Sequence, residues 1–306
     1  MNKFGFGLIL LLAWAWPLRA QVSVEVRQER QQFLVGEPLE AAVRIINHSG
    51  QPLHLGAEAD WLTFSIVSKD GLFVSKTSDA PVAGEFVLES SKVGTKRVDL
   101  APYFTLTTPG RYEITATVYI ADWKRGLSSP PAPFDLIEGS KLWEQVVGAP
   151  DAARANGAPE VRRYILQQAN YTRGQMRLYV RITDASGLTR KVFPVGPMVS
   201  FSRPEPQVDK SSNLHVLYQD GAHTFLYTVC DINGAVTTRQ TYDYIDRRPR
   251  LTMNRDGDIA VLGGVRRIAA NDVPPPKEEE GSNPSVPAPA SPPDTNKTAG
   301  NHPSKK

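Results

Sequence analysis

An imperfect repeat of about 45 residues in the second half of the chain restricts its fold most strongly. The turn Asp184–Gly187 recurs as Asp231–Gly234, each time behind a segment that contains the pair Leu-Tyr. The segment Asn213–Gly221 recurs as Asp258–Gly264. The turns repeat because Asp, Asn and Gly tolerate the left-handed backbone that tight hairpins require. The repeat therefore predicts a unit of consecutive antiparallel strands.

The same unit has a proline-led first strand. "PQV" at Pro206 corresponds to "PRL" at Pro249, and "PEV" at Pro159 is interpreted as the start of an earlier copy. Residues 159–264 resemble the blade repeats of secreted β-propellers, whose period of 40 to 50 residues consists of strands. A propeller usually needs at least four blades to close, whereas about two and a half units fit here. Either another chain completes a half-propeller, or the units form one twisted β-meander packed on the first domain, and we favour the meander.

The first part of the chain shows short alternating runs separated by turn residues. The clearest run places Tyr112, Ile114, Ala116 and Val118 on one face of a strand, with polar residues between them. Several short strands at this spacing predict an antiparallel β-sandwich over residues 21–138.

Two segments of this domain carry a second resemblance. "FLVGEPLEAAVRIIN" (33–47) and, about 60 residues later, "LTTPGRYEIT" (106–115) resemble the bacterial immunoglobulin-like and macroglobulin-like modules of secreted proteins. The resemblance implies that Tyr112 forms a tyrosine corner and that Trp61 is the core tryptophan of the third strand. The disulfide of antibody domains is absent.

The segment between the two domains has a pattern that predicts a helix rather than a strand. In "SKLWEQVVGAP", Ser140 is a candidate N-cap, Leu142, Trp143 and Val146 share a helical face, and Gly148 follows them. Residues 139–158 are therefore expected to hold a short helix and a linker, before a repeat domain over residues 159–270.

The N-terminal residues 1–20 have the layout of a secretory signal peptide. Lys3 precedes the apolar run Gly7–Trp16, Pro17 ends that run, and Ala20 is a small residue before Gln21. The run is too short to cross a bilayer core of roughly 30 Å. We expect an exported protein, periplasmic or extracellular, without a stable membrane anchor.

Residues 271–306 are expected to form a disordered, proline-rich tail. The stretch Asp272–Lys306 holds nine of the 25 prolines and contains no aromatic residue, leucine or isoleucine. Such a composition cannot bury enough apolar surface to offset the entropy of ordering the chain.

The charge of the repeat domain limits the class of partner. Residues 153–270 carry 17 basic and 10 acidic side chains, a net charge of +7, and 15 of the 17 are arginine. Because the chain has an export signal and no dense Lys/Arg run, we expect no nucleic-acid partner. Attraction to anionic envelope polymers stays open.

Motifs for catalysis and for metal or cofactor binding are missing. Cys230 is the single cysteine and lies in an alternating segment, and the five histidines show no HExxH spacing. "NRDGDI" (Asn254–Ile259) resembles part of a calcium loop, but the twelfth position falls at Val265. Asp243 and Asp246 are the best acid candidates. We expect no enzyme and no cofactor, with a small secreted hydrolase, or an accessory subunit of one, as the alternative class.

Two segments remain as candidate binding sites. Tyr244 lies in one loop with Arg247, Arg248 and Arg250, a combination suited to a polyanion or an acidic glycan. Trp123 lies beside two basic residues at an expected hairpin tip. For both segments the alternative is that the basic side chains are ordinary solvated ones beside one packed ring. The sequence thus predicts an interaction or structural module of the envelope or extracellular space, with envelope polysaccharide or another exported protein as partner. A carbohydrate- or anionic-polymer-binding protein is the alternative.

Overall fold

Ladders between short strands account for nearly all regular structure in the computed structural model, which describes residues 21–149, 160–171 and 174–274. The predicted all-β class is confirmed. The first domain contains β1 (Val22–Arg27), β2 (Gln32–Leu34), β3 (Glu40–Asn47), β4 (Leu53–Leu55), β5 (Leu62–Ser68), β6 (Phe86–Leu88), β7 (Val93–Asp99), β8 (Gly110–Ile120), β9 (Arg125–Ser128) and β10 (Ala132–Ile137). Short 3-10 turns occupy Ala101–Tyr103 and Ala121–Trp123.

These strands form two facing sheets. One has the order β1-β3-β7, and the other has the order β2-β10-β8-β5 with β9 also paired to β8, while β4 and β6 form a small ladder. The predicted alternation of β8 is confirmed, because Tyr112, Ile114, Ala116 and Val118 are all buried. They share one core with residues of the facing sheet such as Val43. The sandwich closes because each sheet has one apolar face.

The two aromatic residues of the sandwich have specific polar contacts. The Tyr112 hydroxyl donates to the backbone carbonyl of Thr108 at 2.8 Å, which is the geometry of a tyrosine corner. Trp61 is 1% exposed, and its Nε1 donates to the carbonyl of Val82 at 2.8 Å. Each large ring is therefore buried with its polar atom satisfied.

The second half of the chain forms three successive sheets. The first has the order β11-β12-β13-β14, the second has the order β15-β16-β17-β18-β21, and the third is the hairpin β19-β20. Their strands are β11 (Ser140–Gly148), β12 (Val161–Tyr171), β13 (Gln175–Asp184), β14 (Thr189–Met198), β15 (Glu205–Val208), β16 (Leu214–Gln219), β17 (Thr224–Cys230), β18 (Val236–Asp243), β19 (Arg250–Met253), β20 (Ile259–Leu262) and β21 (Val265–Arg267). The repeat thus gives units of four, four and two strands, and β21 returns to the edge of the second sheet.

The three sheets stack face to face. One core joins the first sheet to the second, with Leu178 and Val216 among its members, and another joins the second sheet to the hairpin, with Tyr227 and Leu251 among its members. The meander is therefore divided into separate stacked sheets, and it does not run as one twisted ladder. β16 is buried at every position because it is covered on both faces.

The prediction of a helix near Ser140 is wrong. Ser140–Gly148 is strand β11, which pairs antiparallel with β12 from Ser140 opposite Gln168 to Gly148 opposite Val161. A register shift at Lys141 and Trp143 disturbs the alternation that would have marked a strand. Pairing with the open edge of β12 satisfies more backbone groups than an isolated helical turn, so tertiary context overrides the local pattern.

The repeat consequently begins earlier than the sequence indicated. β11, β15 and β19 occupy the first position of each unit, and β12, β16 and β20 occupy the second. "PEV" leads into β12, the second strand, so its alignment with the first strands at Pro206 and Pro249 was wrong. The repeat domain starts at Ser140 and not at residue 159, and its linker lies between two strands of one sheet.

The tail boundary also needs a correction. Asp272 is 7% exposed, and Val273 exchanges two backbone hydrogen bonds with Arg239 of β18 at 2.9 and 3.0 Å. Residues 271–274 therefore belong to the folded body. The expected signal peptide and the rest of the expected tail, residues 1–20 and 275–306, lie outside the described residues.

Candidate binding surface

The loop that connects β18 to β19 carries the predicted binding residues. The Tyr244 amide donates to the carbonyl of His223 at 2.7 Å, which fixes the start of the loop. At its other end Pro249 is buried against Gly264, where a Cβ atom would lie 2.6 Å from the proline ring. Gly264 also has a positive φ of 66° and donates to the carbonyl of Arg247 at 2.8 Å. The loop is thus held at both ends by backbone contacts, while the side chains of Arg247, Arg248 and Arg250 are exposed.

Three of the predicted residues are exposed arginines that have no acidic partner among the described residues. Arg247, Arg248 and Arg250 are exposed, and none forms an ion pair with a carboxylate among the residues that the structure describes. Arg248 is oriented by a bond from Nη2 to Ser202 Oγ at 3.1 Å and by the Phe225 ring, whose centroid lies 5.2 Å from its guanidinium carbon. The positive charge of this loop is therefore available to a partner.

Several other basic residues of the repeat domain form ion pairs with carboxylates. Arg162 pairs with Glu160 at 2.6 Å, Arg190 with Asp184 at 3.2 Å, and Lys210 with Asp258 at 2.9 Å. These three are compensated locally, whereas Lys191 and Arg255 are exposed without an ion pair in the described ranges but do not form a cluster of three within one loop.

The contact between Arg248 and Ser202 adds residues that the sequence did not indicate. Ser202 is flanked by Phe201, which is 78% exposed, and by Arg203, which is exposed and has no ion-pair partner in the described ranges. We call the set Arg203, Tyr244, Arg247, Arg248 and Arg250 the arginine surface. No sequence signal points to Arg203, because the two segments meet through contacts between residues 46 positions apart in the chain.

One acidic residue lies next to the arginine surface. Asp246 and Arg247 line a cleft of about 210 Å³ together with Gly263, Gly264 and Val265. Asp246 is exposed, whereas Asp243 is held by Arg267 at 2.9 Å. The two acid candidates therefore have different surroundings and do not form a matched carboxylate pair for acid–base chemistry.

Trp123 lies on a different part of the molecule. It ends the 3-10 turn at the tip between β8 and β9, so the expected hairpin tip is confirmed. Its ring is half-buried against the sandwich core. Two repeat sheets separate the sandwich from the β19-β20 hairpin, so Trp123 and the arginine surface are not one site.

The remaining candidates for chemistry have structural roles. Asp258 in the calcium-like segment binds Lys210, and the Asn254 side chain accepts hydrogen bonds from two backbone amides of its own turn. Cys230 is 2% exposed, and burial raises the pKa of its thiol to about 12. Within the described ranges, no group of three or more His, Cys, Asp or Glu side chains is placed to hold a metal ion.

A buried polar network was missed by the sequence reasoning. His215 lies between Tyr227, whose hydroxyl is 2.7 Å from Nδ1, and Asp209, whose Oδ2 is 3.0 Å from Nε2. Because an ionised carboxylate can only accept, Nε2 donates to Asp209, and Nδ1 pairs with the Tyr227 hydroxyl. Burial raises the pKa of Asp209, but hydrogen bonds from His215 and Asn213 outweigh that effect and leave it lowered. His215 and Tyr227 are buried and bonded to each other within the second sheet, so the role of this network is structural.

A second cleft, of about 250 Å³, lies where the sandwich meets the first repeat sheet. Arg30, Phe33 and Glu37 line it from one side, and Lys191 and Phe193 line it from the other. The Glu37 carboxylate is already bound to Arg30 at 2.6 Å and to the amide of Leu34 at 2.9 Å. The carboxylate of Glu37 is therefore already paired within the sandwich.

No protein-family profile matches the chain, and no curated protein matches its sequence. Among solved structures, the sporulation control protein Spo0M from Bacillus subtilis is similar over 58% of this chain and 90% of its own, at 10% identity and a TM-score of 0.26. A superposition this loose supports no argument about fold or function. No helix in the described part of the chain is long and apolar enough to cross a bilayer.

Proposed function

We propose that this protein is an exported, non-catalytic interaction module of the cell envelope or extracellular space, and that its arginine surface binds an anionic polymer such as an acidic polysaccharide. The observation that carries the proposal is the exposure of Arg247, Arg248 and Arg250 without an acidic partner in the described residues. Export rests on the pattern of residues 1–20 and is tested by sequencing the N-terminus of secreted material, which should begin at Gln21.

Arginine is suited to this role for a geometric reason. Its planar guanidinium offers parallel donors that match the two oxygens of a carboxylate or a sulfate, and such paired bonds are shorter and stronger than neutral ones. Arg248 has lost part of its freedom through Ser202 and Phe225, so less entropy is lost when it binds. A repeating polyanion can engage several guanidinium groups of one loop at once.

The experiment compares two variants that lose the same charge. The test variant is Arg247→Gln/Arg248→Gln/Arg250→Gln, and the matched control is Arg162→Gln/Arg163→Gln/Arg190→Gln, whose arginines are all paired with carboxylates. Retention on immobilised polygalacturonate is measured at about 0.1 M salt, where diffuse attraction is screened beyond about 10 Å.

We expect the test variant to lose retention while the control keeps most of it. Equal loss in both variants would show that only net charge matters. If the parent protein is not retained, the binding proposal is wrong.

A further inference from the structure

The third repeat unit is shorter than the two before it. β11 to β14 and β15 to β18 each supply four strands, whereas β19 and β20 form a hairpin that no third or fourth strand among the described residues extends. In the complete units the third strand, β13 or β17, pairs antiparallel with the second strand, β12 or β16. β20 occupies the second position, so its free edge is the one on which the earlier units carry a third strand.

The backbone of β20 presents unused hydrogen-bonding groups at that edge. The Asn254 amide donates to the carbonyl of Asp258 at 2.9 Å, which makes these residues a hydrogen-bonded pair at the turn. In an antiparallel ladder bonded and non-bonded pairs alternate, so Ile259 and Val261 turn their N–H and C=O groups away from β19. No described residue pairs with those outward groups.

The sequence of β20 also lacks the features that protect the other outer strands of the repeat domain. β14 contains Pro194 and Pro197, β15 contains Pro206, β21 contains Arg266 and Arg267, and β11 contains Lys141 and Glu144. Prolines and charges on an edge strand prevent unwanted pairing. β20 reads Ile-Ala-Val-Leu, with neither a proline nor a charge.

The second sheet extends beyond the hairpin on the side of this edge. Thr238, Gln240 and Tyr242 of β18 face the same way as Val229, Tyr227 and Phe225 of β17, to which they are paired. The β17 side chains are buried under the hairpin, whereas the three on β18 remain partly exposed. A strand added to β20 would lie over this partly covered half of the sheet.

We propose that β20 binds an extended segment of a partner polypeptide, which adds antiparallel to it in the position of the missing third strand. In the complete units this strand contains Leu-Tyr within an alternating run, as at Leu178–Tyr179 and Leu226–Tyr227. The partner segment is therefore free of proline and carries alternating apolar or aromatic side chains. Backbone bonds to Ile259 and Val261 supply affinity, and the partly exposed face of β18 selects side chains.

Two other occupants fit this edge less well. Residues 275–306 contain eight prolines and no leucine, isoleucine or aromatic residue, so the tail lacks the required alternation. A second copy that paired β20 with β20 antiparallel would be related by a twofold axis perpendicular to the hairpin. Both second sheets would then lie on the same side, where each occupies the space of the other's β18.

The test uses the full chain and a synthetic peptide with the sequence of residues 176–184, MRLYVRITD, which copies a third strand. Val261→Pro removes an outward N–H while leaving the bonds between β19 and β20 intact, and Val261→Thr is the matched control that keeps the N–H. Binding is measured by fluorescence anisotropy, and the fold of each variant is checked by circular dichroism.

We expect Val261→Pro to weaken peptide binding at least tenfold and Val261→Thr to change it less than threefold. Should Val261→Pro fail to fold, two peptides N-methylated on alternate residues replace it, and only the set that faces β20 should abolish binding to the parent protein. Failure of the parent to bind the peptide, or equal effects of the two methylated sets, overturns the proposal. If the parent protein is a dimer that Val261→Pro dissociates, the occupant of the β20 edge is a second copy of the chain. If truncation at Pro274 tightens peptide binding, the occupant is the protein's own tail. Either result overturns the proposal of a partner polypeptide.

Discussion

Arg181 donates from Nη2 to the backbone carbonyl of Val35 at 2.7 Å, which links the first repeat sheet to the sandwich across 146 residues of sequence. The same guanidinium donates to Gln167 and Thr189 at 3.0 and 3.1 Å. Leu34, Ala169, Tyr179 and Val192 form a small apolar core at this junction. The two domains are therefore joined by a packed contact that contains a half-buried cation, and this partial burial lowers the pKa of Arg181.

Arg181→Met should lower the free energy of unfolding by about 2–3 kcal/mol, because the Val35 carbonyl and the Gln167 side chain would lose a charged donor inside the junction. Arg190→Met is the matched control, since Arg190 is exposed and its ion pair with Asp184 contributes about 0–1 kcal/mol. Urea denaturation followed by tryptophan fluorescence and circular dichroism measures both changes. Equal effects of the two substitutions would contradict a role for Arg181 at the junction.

Asp209→Asn should destabilise the protein most at neutral pH. The lowered pKa of Asp209 means that its ionised form is stabilised by folding, so this contribution is present above the ordinary carboxyl pKa of about 4 and is lost as the pH falls through the lowered value. The difference in unfolding free energy between the parent and the variant should be about 1–3 kcal/mol at pH 7 and should shrink towards pH 3.

Asp246→Asn is the control for this pH series, because Asp246 is exposed and forms no ion pair among the described residues. Its difference from the parent should be near zero throughout. A difference for Asp209→Asn that stays constant with pH would mean that the carboxylate charge does not support the His215 network.

Periodicity in the sequence predicted those parts of the fold that depend on residues close together in the chain. The alternation of β8 and the spacing of the Asp-Gly turns gave the sandwich and the count of two and a half units, because both follow from the local geometry of strands and hairpins. β11 was missed because its register shift hides the alternation and its partner strand lies beyond a linker. No local sequence pattern indicates that β12 has an unpaired edge to which β11 can bond.

The residues of the candidate site likewise divide into those that the sequence could predict and those that it could not. Arg247, Arg248 and Arg250 could be found because they are adjacent in sequence, whereas Arg203 could not, since Ser202 meets Arg248 only in the folded chain. The His215 network had a weak signal in the alternation of β16, which places His215 on the same face as Leu217. A histidine on an apolar face indicates a buried polar contact but does not identify Asp209 or Tyr227 as its partners.

Cys230 should be inert in the folded protein. A thiol whose pKa is raised to about 12 holds almost no thiolate at neutral pH, and the thiolate is the reactive form. Ellman's reagent should therefore react with Cys230 only after denaturant is added, and the rate should follow the unfolding transition. Fast reaction of the native protein at pH 7 would show that the strand β17 opens or that the thiol is activated.

Truncation should locate the true end of the folded body between Asn271 and Pro275. A chain that ends at Pro274 keeps the Val273 bridge to Arg239 and the ion pair from Arg266 to Asp272 at 2.6 Å, and its melting temperature should stay within about 2 °C of the full chain.

A chain that ends at Asn271 loses both contacts and leaves the guanidinium of Arg266 without its carboxylate. Since Asp272 is almost fully buried, this loss should be about 1–3 kcal/mol, which lowers the melting temperature by about 2–12 °C for a body of this size. Differential scanning calorimetry of the two truncated chains and of Asp272→Ala in the full chain separates the ion pair from the backbone bridge. A melting temperature for the chain ending at Asn271 that equals the full-length value would return the boundary to residue 271.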